Sequence, residues 1–192
     1  MPSDRQKTVT LVLGGARSGK SRYAQELASA FKRVVFIATA RRGDAEMRAR
    51  IARHRRERPA SWKTLEISTG LDLALREQGR NADLLIIDCL TLYLANALGR
   101  KRGDRRPVHD HLQRVCEAIR EIEASAVIVS NEVGCGVVPS YRSGREYRDL
   151  LGEFNQQIAQ VADRVVLMVA GVPLAVKGSS AGPNITSKKG RR

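Results

Sequence analysis

Gly14-Gly15-Ala16-Arg17-Ser18-Gly19-Lys20-Ser21 follows the apolar run Thr8–Leu13 and opens a segment of helical period. The spacing is G-x-x-x-x-G-K-[ST], placed between a strand and a helix, where this pattern forms a phosphate-binding loop. Its glycines let backbone N–H groups turn inward and approach an anion closely, and the helix start adds a favourable dipole. Lys20 supplies a point charge for the β- and γ-phosphates, and the Ser21 hydroxyl is a ligand for Mg²⁺. A Gly-rich turn without a ligand is the plainer alternative, and the complete spacing with the right flanks argues against it. The stretch predicts an α/β nucleotide-binding domain.

The pattern outward from this loop agrees. Short β-branched runs alternate with longer segments of helical period. Strands are expected at Thr8–Leu13, Arg33–Ala38, Thr64–Ile67, Leu84–Asp88, Ala126–Val129 and Arg164–Val169, with a short edge strand at Val172–Val176. Helices are expected at Lys20–Phe31, Asp44–Arg56, Leu71–Gln78, Leu92–Leu98, His109–Glu123 and Arg145–Val161. Such alternation implies a mostly parallel sheet with right-handed crossovers and a ligand edge beyond the carboxyl ends of the strands. The polar clusters after Leu13, Ala38, Ile87 and Val129 should all face that edge. Residues 1–177 read as one domain, and 178–192, rich in Gly, Ser, Pro, Asn and Lys, as a disordered basic tail.

Composition bounds the function. The formal charge is +14, with aromatics at 4%. A basic chain suits nucleic acid or a polyanionic small molecule. The few aromatics leave no stacking platform of the single-strand-binding kind, so specific nucleic-acid binding is disfavoured. Lys188, Lys189, Arg191 and Arg192 fall in the tail, and Lys101-Arg102-Gly103-Asp104-Arg105-Arg106-Pro107 reads as an exposed loop. No apolar run is long enough to span a bilayer and no leader-type segment precedes the first strand, so the expectation is a soluble, cytoplasmic protein. Cys89, Cys116 and Cys135 are widely spaced and odd in number, which speaks against a disulfide framework and a zinc site.

Three further blocks carry candidate chemistry. Leu84-Leu85-Ile86-Ile87-Asp88 ends in an acid able to orient Mg²⁺; the bland reading is a cap for the next helix. His54 falls on a helical stripe with Met47 and Ile51, among Arg50, Arg53, Arg55, Arg56 and Arg58. Such a positive field depresses an imidazole's pKa and favours its neutral, nucleophilic form, while a packed histidine on a solvated basic face is the alternative. Ser130-Asn131-Glu132-Val133-Gly134-Cys135-Gly136-Val137-Val138-Pro139 follows a strand and suits substrate binding, or a purely structural connection. His109 and His111, in a polar region at a helix start, receive no role.

Together these blocks resemble one family, the bifunctional adenosylcobinamide kinase/adenosylcobinamide-phosphate guanylyltransferases of cobalamin biosynthesis. The resemblance is carried by Leu13–Ser21, Ile37-Ala38-Thr39-Ala40, Glu46–Trp62, Ile87–Leu92, Val129–Gly134 and Arg148–Gln156, in that order, and spans about Val9 to Lys177. It implies a RecA-like P-loop fold, a trimeric assembly and two reactions. In the first, the hydroxyl on the aminopropanol arm of adenosylcobinamide takes the γ-phosphoryl group of ATP or GTP. In the second, a histidine takes GMP from GTP, releases pyrophosphate and passes GMP to the new phosphate. The resemblance maps the guanylylated histidine onto His54. Its GTP contacts fall on Gly14, Gly15, Ala16, Arg17, Ser18, Gly19, Lys20, Ser21, Ala38, Thr39, Ala40, Arg55, Arg56, Glu57, Arg58, Glu66 and Asp88. The very basic Gly99–Val108 region matches no family feature. The competing readings are a simple P-loop kinase using Lys20, Ser21 and Asp88, a RecA-like nucleic-acid ATPase, and a family member retaining one activity.

Overall fold

The computed structural model describes residues 6–41, 45–56, 58–99 and 106–178. Within the helices, the side chains at 46, 47, 50, 51, 53, 54, 106 and 107 lie outside that description. Of the expected loop at 101–107, residues 101–105, and of the expected tail at 178–192, residues 179–192, also fall outside it.

Seven strands form one sheet: β1 (Val9–Gly14), β2 (Val34–Ala38), β3 (Lys63–Glu66), β4 (Leu84–Asp88), β5 (Ser125–Val129), β6 (Arg164–Val169) and β7 (Val172–Lys177). Their spatial order is β3-β2-β4-β5-β1-β6-β7. Every pairing is parallel except β6 with β7. Strands β2 and β5 are buried at every residue, the signature of a parallel sheet covered on both faces. The antiparallel edge follows from a two-residue turn: Ala170 and Gly171 both have positive φ, 50° and 84°, which suits a tight hairpin.

Among the described residues six helices cover the sheet: α1 (Lys20–Ala28), α2 (Ala45–Arg56), α3 (Leu71–Gly79), α4 (Leu90–Leu98), α5 (Arg106–Glu121) and α6 (Arg142–Val161). Alternation along the strands divides the core. Val12, Phe36, Ile86, Val127 and Val129 pack with Tyr23, Ala24 and Ala28 of α1 on one face. Leu11, Ile37, Ile87 and Ile128 pack on the other with Leu75 of α3, Tyr93 of α4, Ile119 of α5 and Phe154 of α6. Among the described residues no helix is long and apolar enough to cross a membrane.

Boundaries differ from the sequence expectation for local reasons. Helix α1 stops at Ala28 because the Ser29 hydroxyl donates to the Glu26 carbonyl at 2.7 Å, competing with the helical ladder. Helix α5 starts at Arg106, so Pro107 sits in its first turn, where a missing N–H costs nothing. Helix α6 begins three residues earlier than periodicity indicates, running through Gly144, a poor helix former by propensity.

Candidate active site

The carboxyl ends of five adjacent strands align in one row. Val12 is opposite Val129, Val129 opposite Asp88, Asp88 opposite Ala38, and Ala38 opposite Glu66. With strands spaced about 4.8 Å apart, Asp88 lies about 10 Å across the sheet from the start of the phosphate loop and Glu66 about 19 Å. The sheet thus brings the loop, Ala38–Ala40, Asp88 and Glu66 to one edge.

The loop's backbone meets the demands read from its sequence. Gly14 has φ 148° and Gly19 φ 95°, and Arg17 takes a left-handed φ of 55°. A Cβ on Gly14 would stand 2.6 Å from the Met168 carbonyl oxygen and 2.7 Å from Ser18 Oγ, so only glycine fits without a shift. The Ser18 N–H donates to the Gly15 carbonyl at 3.3 Å, closing the turn. Helix α1, with Gly19 at its N-cap, begins without a side-chain cap and without an acid in its first turn. Its leading N–H groups are left for an anion. Gly15, Ala16 and Arg17 are exposed and Ser21 is half-buried. Lys20 is 7% exposed, and its Nζ donates to the Gly14 carbonyl at 2.9 Å and the Gly15 carbonyl at 2.6 Å. The ammonium cross-links its own loop.

Beside it, the connection after β4 is clasped to the end of β2. Thr39 Oγ1 donates to the Cys89 carbonyl at 2.6 Å and accepts the Cys89 N–H at 2.8 Å, and Asn96 Nδ2 donates to the Thr39 carbonyl at 2.9 Å. The Thr39 hydroxyl is therefore committed to shaping this edge. Burial pushes the Cys89 thiol up, so it remains a thiol rather than a nucleophile. Asp88 is half-buried, and among the described residues neither its carboxylate nor the Ser21 hydroxyl has a side-chain hydrogen bond or ion pair. One carboxylate, one hydroxyl and adjacent phosphate sites suit Mg²⁺, which keeps several waters and needs few protein ligands. Among the described residues there is no three-residue His/Cys/Asp/Glu cluster of the sort a dedicated metal cage needs.

The arginine block divides by role. Arg55 and Arg56 are exposed in the last turn of α2, whereas the Arg58 guanidinium lies 3.6 Å above the Phe36 ring of β2. That cation–π contact ties the segment after α2 to the α1 face of the sheet. Glu66 is exposed at the end of β3. The backbone of His54 belongs to α2; its side chain, and Glu57 entirely, lie outside the described residues.

The structure adds contacts that sequence reading did not supply. The Ser130 N–H donates to the Val12 carbonyl at 3.0 Å and the Glu132 N–H to the Gly14 carbonyl at 3.2 Å, stitching the Ser130–Pro139 segment to the phosphate loop. The Asn131 N–H donates to Thr91 Oγ1 at 2.9 Å, Tyr147 OH to the Thr91 carbonyl at 3.0 Å, and Asn155 Nδ2 to the Asn131 carbonyl at 3.1 Å. Asn155, polar between Phe154 and Ile158, was the available signal. His111, given no role, hydrogen-bonds the buried Tyr93 hydroxyl, which also accepts the Leu71 N–H at 3.0 Å. Arg114 lies 3.6 Å from Asp72, and Asp72 4.0 Å from His111. This cluster locks α3, α4 and α5 together.

Known proteins resemble this chain in sequence and in fold. Residues 10–176 match the family described as cobinamide kinase / cobinamide phosphate guanyltransferase. The chain is 44% identical over 169 residues to the bifunctional adenosylcobalamin biosynthesis protein CobP of Pseudomonas aeruginosa, covering 88% of this chain and 96% of that protein. It is 38% identical over 178 residues to the corresponding CobU protein of Salmonella typhimurium, covering 87% and 98%. Among solved structures it is similar, at TM-score 0.52 and 15% identity, to a prototypical ATPase from the type III secretion system of pathogenic bacteria. That alignment covers 88% of this chain and 56% of the ATPase, so the chain spans about half that protein's length, and the likeness concerns the fold: a P-loop, RecA-like sheet.

Proposed function

The chain belongs to the cobinamide kinase/cobinamide phosphate guanyltransferase family, a bifunctional enzyme family of cobalamin biosynthesis, and from that premise we propose how its residues divide the two reactions. ATP or GTP binds with its phosphates in Gly14–Ser21, and Lys20 leaves the loop carbonyls for the β- and γ-phosphates. Ser21 and Asp88 would hold Mg²⁺, which when bound neutralises phosphate charge. Phosphoryl transfer to the alcohol of adenosylcobinamide then needs positioning and charge neutralisation more than covalent help.

Guanylyl transfer sets one anion against another, and a neutral imidazole avoids that repulsion. A ring nitrogen of His54 attacks the α-phosphorus of GTP; a P–N bond forms and the P–O bond to pyrophosphate breaks. A phosphate oxygen of adenosylcobinamide phosphate then attacks the same phosphorus. The P–N bond breaks, His54 is restored and adenosylcobinamide-GDP leaves. Arg55, Arg56, Glu57, Arg58, Ala38, Ala40 and Glu66 are the remaining nucleotide contacts in this reading, whereas Thr39, expected among them, is fully buried with its hydroxyl taken by Cys89 and shapes the edge instead. The working enzyme is a cytoplasmic homotrimer that takes a corrinoid and no nucleic acid.

The observation that carries the reading is the row Val12–Val129–Asp88–Ala38–Glu66, which supports one nucleotide site running from the loop toward the end of β3. The test is incubation with α-labelled GTP and Mg²⁺, denaturation, and a search for an acid-labile, base-stable protein label. The label is expected in the wild type and absent from His54→Ala. Label retained in that variant refutes the nucleophile, and no wild-type label favours a simple kinase.

A further inference from the structure

The segment that leaves β5 carries a built apolar shelf at the catalytic edge. Val137, Val138 and Tyr141 are 96%, 56% and 65% exposed, three large apolar side chains within five residues. Single exposed apolar residues are ordinary, whereas a cluster beside a functional site marks a binding surface.

This shelf is pinned at both ends. At its start the Glu132 N–H is bonded to the Gly14 carbonyl of the phosphate loop, and the Glu132 carboxylate accepts the Gly134 N–H at 2.6 Å. At its end Arg145 donates to the Pro139 carbonyl at 3.0 Å and the Ser140 carbonyl at 2.7 Å. Between them Pro139 and the Tyr141 ring lie directly over Gly144. A Cβ there would stand 2.6 Å from the ring and 2.8 Å from Pro139. The glycine that interrupts helical propensity in α6 thus lets the ring lie on the helix, with most of it left open to solvent. The first turn of α6 carries no acid, and Arg142, Arg145 and Arg148 fall within it and the next turn, with Arg142 ion-paired to Glu146 at 2.8 Å and Arg148 to Asp149 at 3.6 Å.

We propose that Val137, Val138 and Tyr141 seat the apolar face of the macrocyclic acceptor, with its alcohol or phosphate arm directed past the arginines toward the phosphate loop. The assignment rests on the acceptor being a corrinoid, as in the reading above. A rigid, preformed shelf suits a large, stiff ligand, because little conformational entropy is lost on contact. The arginines at the start of α6, Arg145 among them, complement the phosphate that the arm carries after the kinase step. A second copy of the chain is the competing occupant.

The test uses the full chain carrying Val137→Ser/Val138→Ser, Tyr141→Ser or Tyr141→Phe. Three quantities are read: enzyme–GMP formation from GTP alone, the KM and kcat of the kinase step with adenosylcobinamide, and the solution mass across a concentration series. The serine variants are expected to raise the acceptor KM about tenfold or more, the scale of one lost apolar side-chain contact, with kcat within about threefold. Tyr141→Phe should stay near the wild type. Enzyme–GMP formation, which involves no acceptor, should be unchanged, which also reports that the variants fold; its absence in the wild type would count against His54 and leave the acceptor KM as the test of the shelf. An unchanged acceptor KM overturns the assignment. So does a KM change accompanied by a change in mass, which would give the surface to contacts between copies.

Discussion

Replacing Lys20 by Met keeps the length of the side-chain stem and removes its ammonium, and the structure gives two separate consequences. The buried Nζ bonds the carbonyls of Gly14 and Gly15 at 2.9 and 2.6 Å. Hydrogen bonds involving a charged group contribute about 1.5–3 kcal/mol each, and the two together are offset in part by the desolvation of the ammonium. A net loss of about 2 kcal/mol is expected, or roughly 4–8 °C in melting temperature for a domain of this size. The second consequence concerns the ligand. Mg-GTP at a hundred times its dissociation constant should stabilise the wild type by about 2.7 kcal/mol, whereas the variant, lacking the charge at the β- and γ-phosphates, should show almost no shift. Thermal and urea denaturation with and without Mg-GTP read both effects. A variant as stable as the wild type would refute the cross-linking role, and an unchanged nucleotide shift would refute the phosphate-binding role.

Other consequences are as specific. Gly14→Ala should reduce nucleotide binding at least as much as it reduces stability, since its Cβ meets backbone at 2.6 Å; isothermal titration with Mg-GTP checks this. Tyr93→Phe strands the buried Leu71 N–H, so a loss of about 1–3 kcal/mol is expected in urea denaturation with guanylylation intact. His111 is packed against Tyr93 and faces Asp72 and Arg114; burial holds its imidazole below the ordinary range, with Asp72 opposing and Arg114 assisting. A folded pKa below the unfolded one makes the unfolded chain bind the extra proton first. Stability should therefore fall as pH drops below about 6.5, and His111→Gln should flatten that part of the profile.

The strand-loop-helix unit was legible because it is local: Gly14, Gly19 and Lys20 sit at fixed offsets, and the β-branched runs of β2, β4 and β5 mark buried parallel strands. The alignment of Asp88 with Ala38 was foreshadowed by the expectation that polar clusters share one edge, whereas Glu66 entered only through the family resemblance. What sequence could not supply was pairing over distance. The clasp between Thr39 and Cys89 spans 50 positions, and the link from Glu132 to Gly14 joins a loop to another loop through backbone atoms that no side-chain pattern reports. The Tyr93–His111–Asp72 cluster was missed because each residue alone looks like surface polarity or core, and only the packing of α3, α4 and α5 joins them. Arg58 read as one more charge in a basic run, whereas its guanidinium rests on Phe36.

The division of labour between Lys20 and His54 is tested most directly by isolating the GMP-labelled protein and chasing it. The account predicts that adenosylcobinamide phosphate removes the label as adenosylcobinamide-GDP at least as fast as steady-state turnover, and that pyrophosphate returns it as GTP. A label that stays on the protein under both chases, or that maps to a residue other than His54, would contradict it.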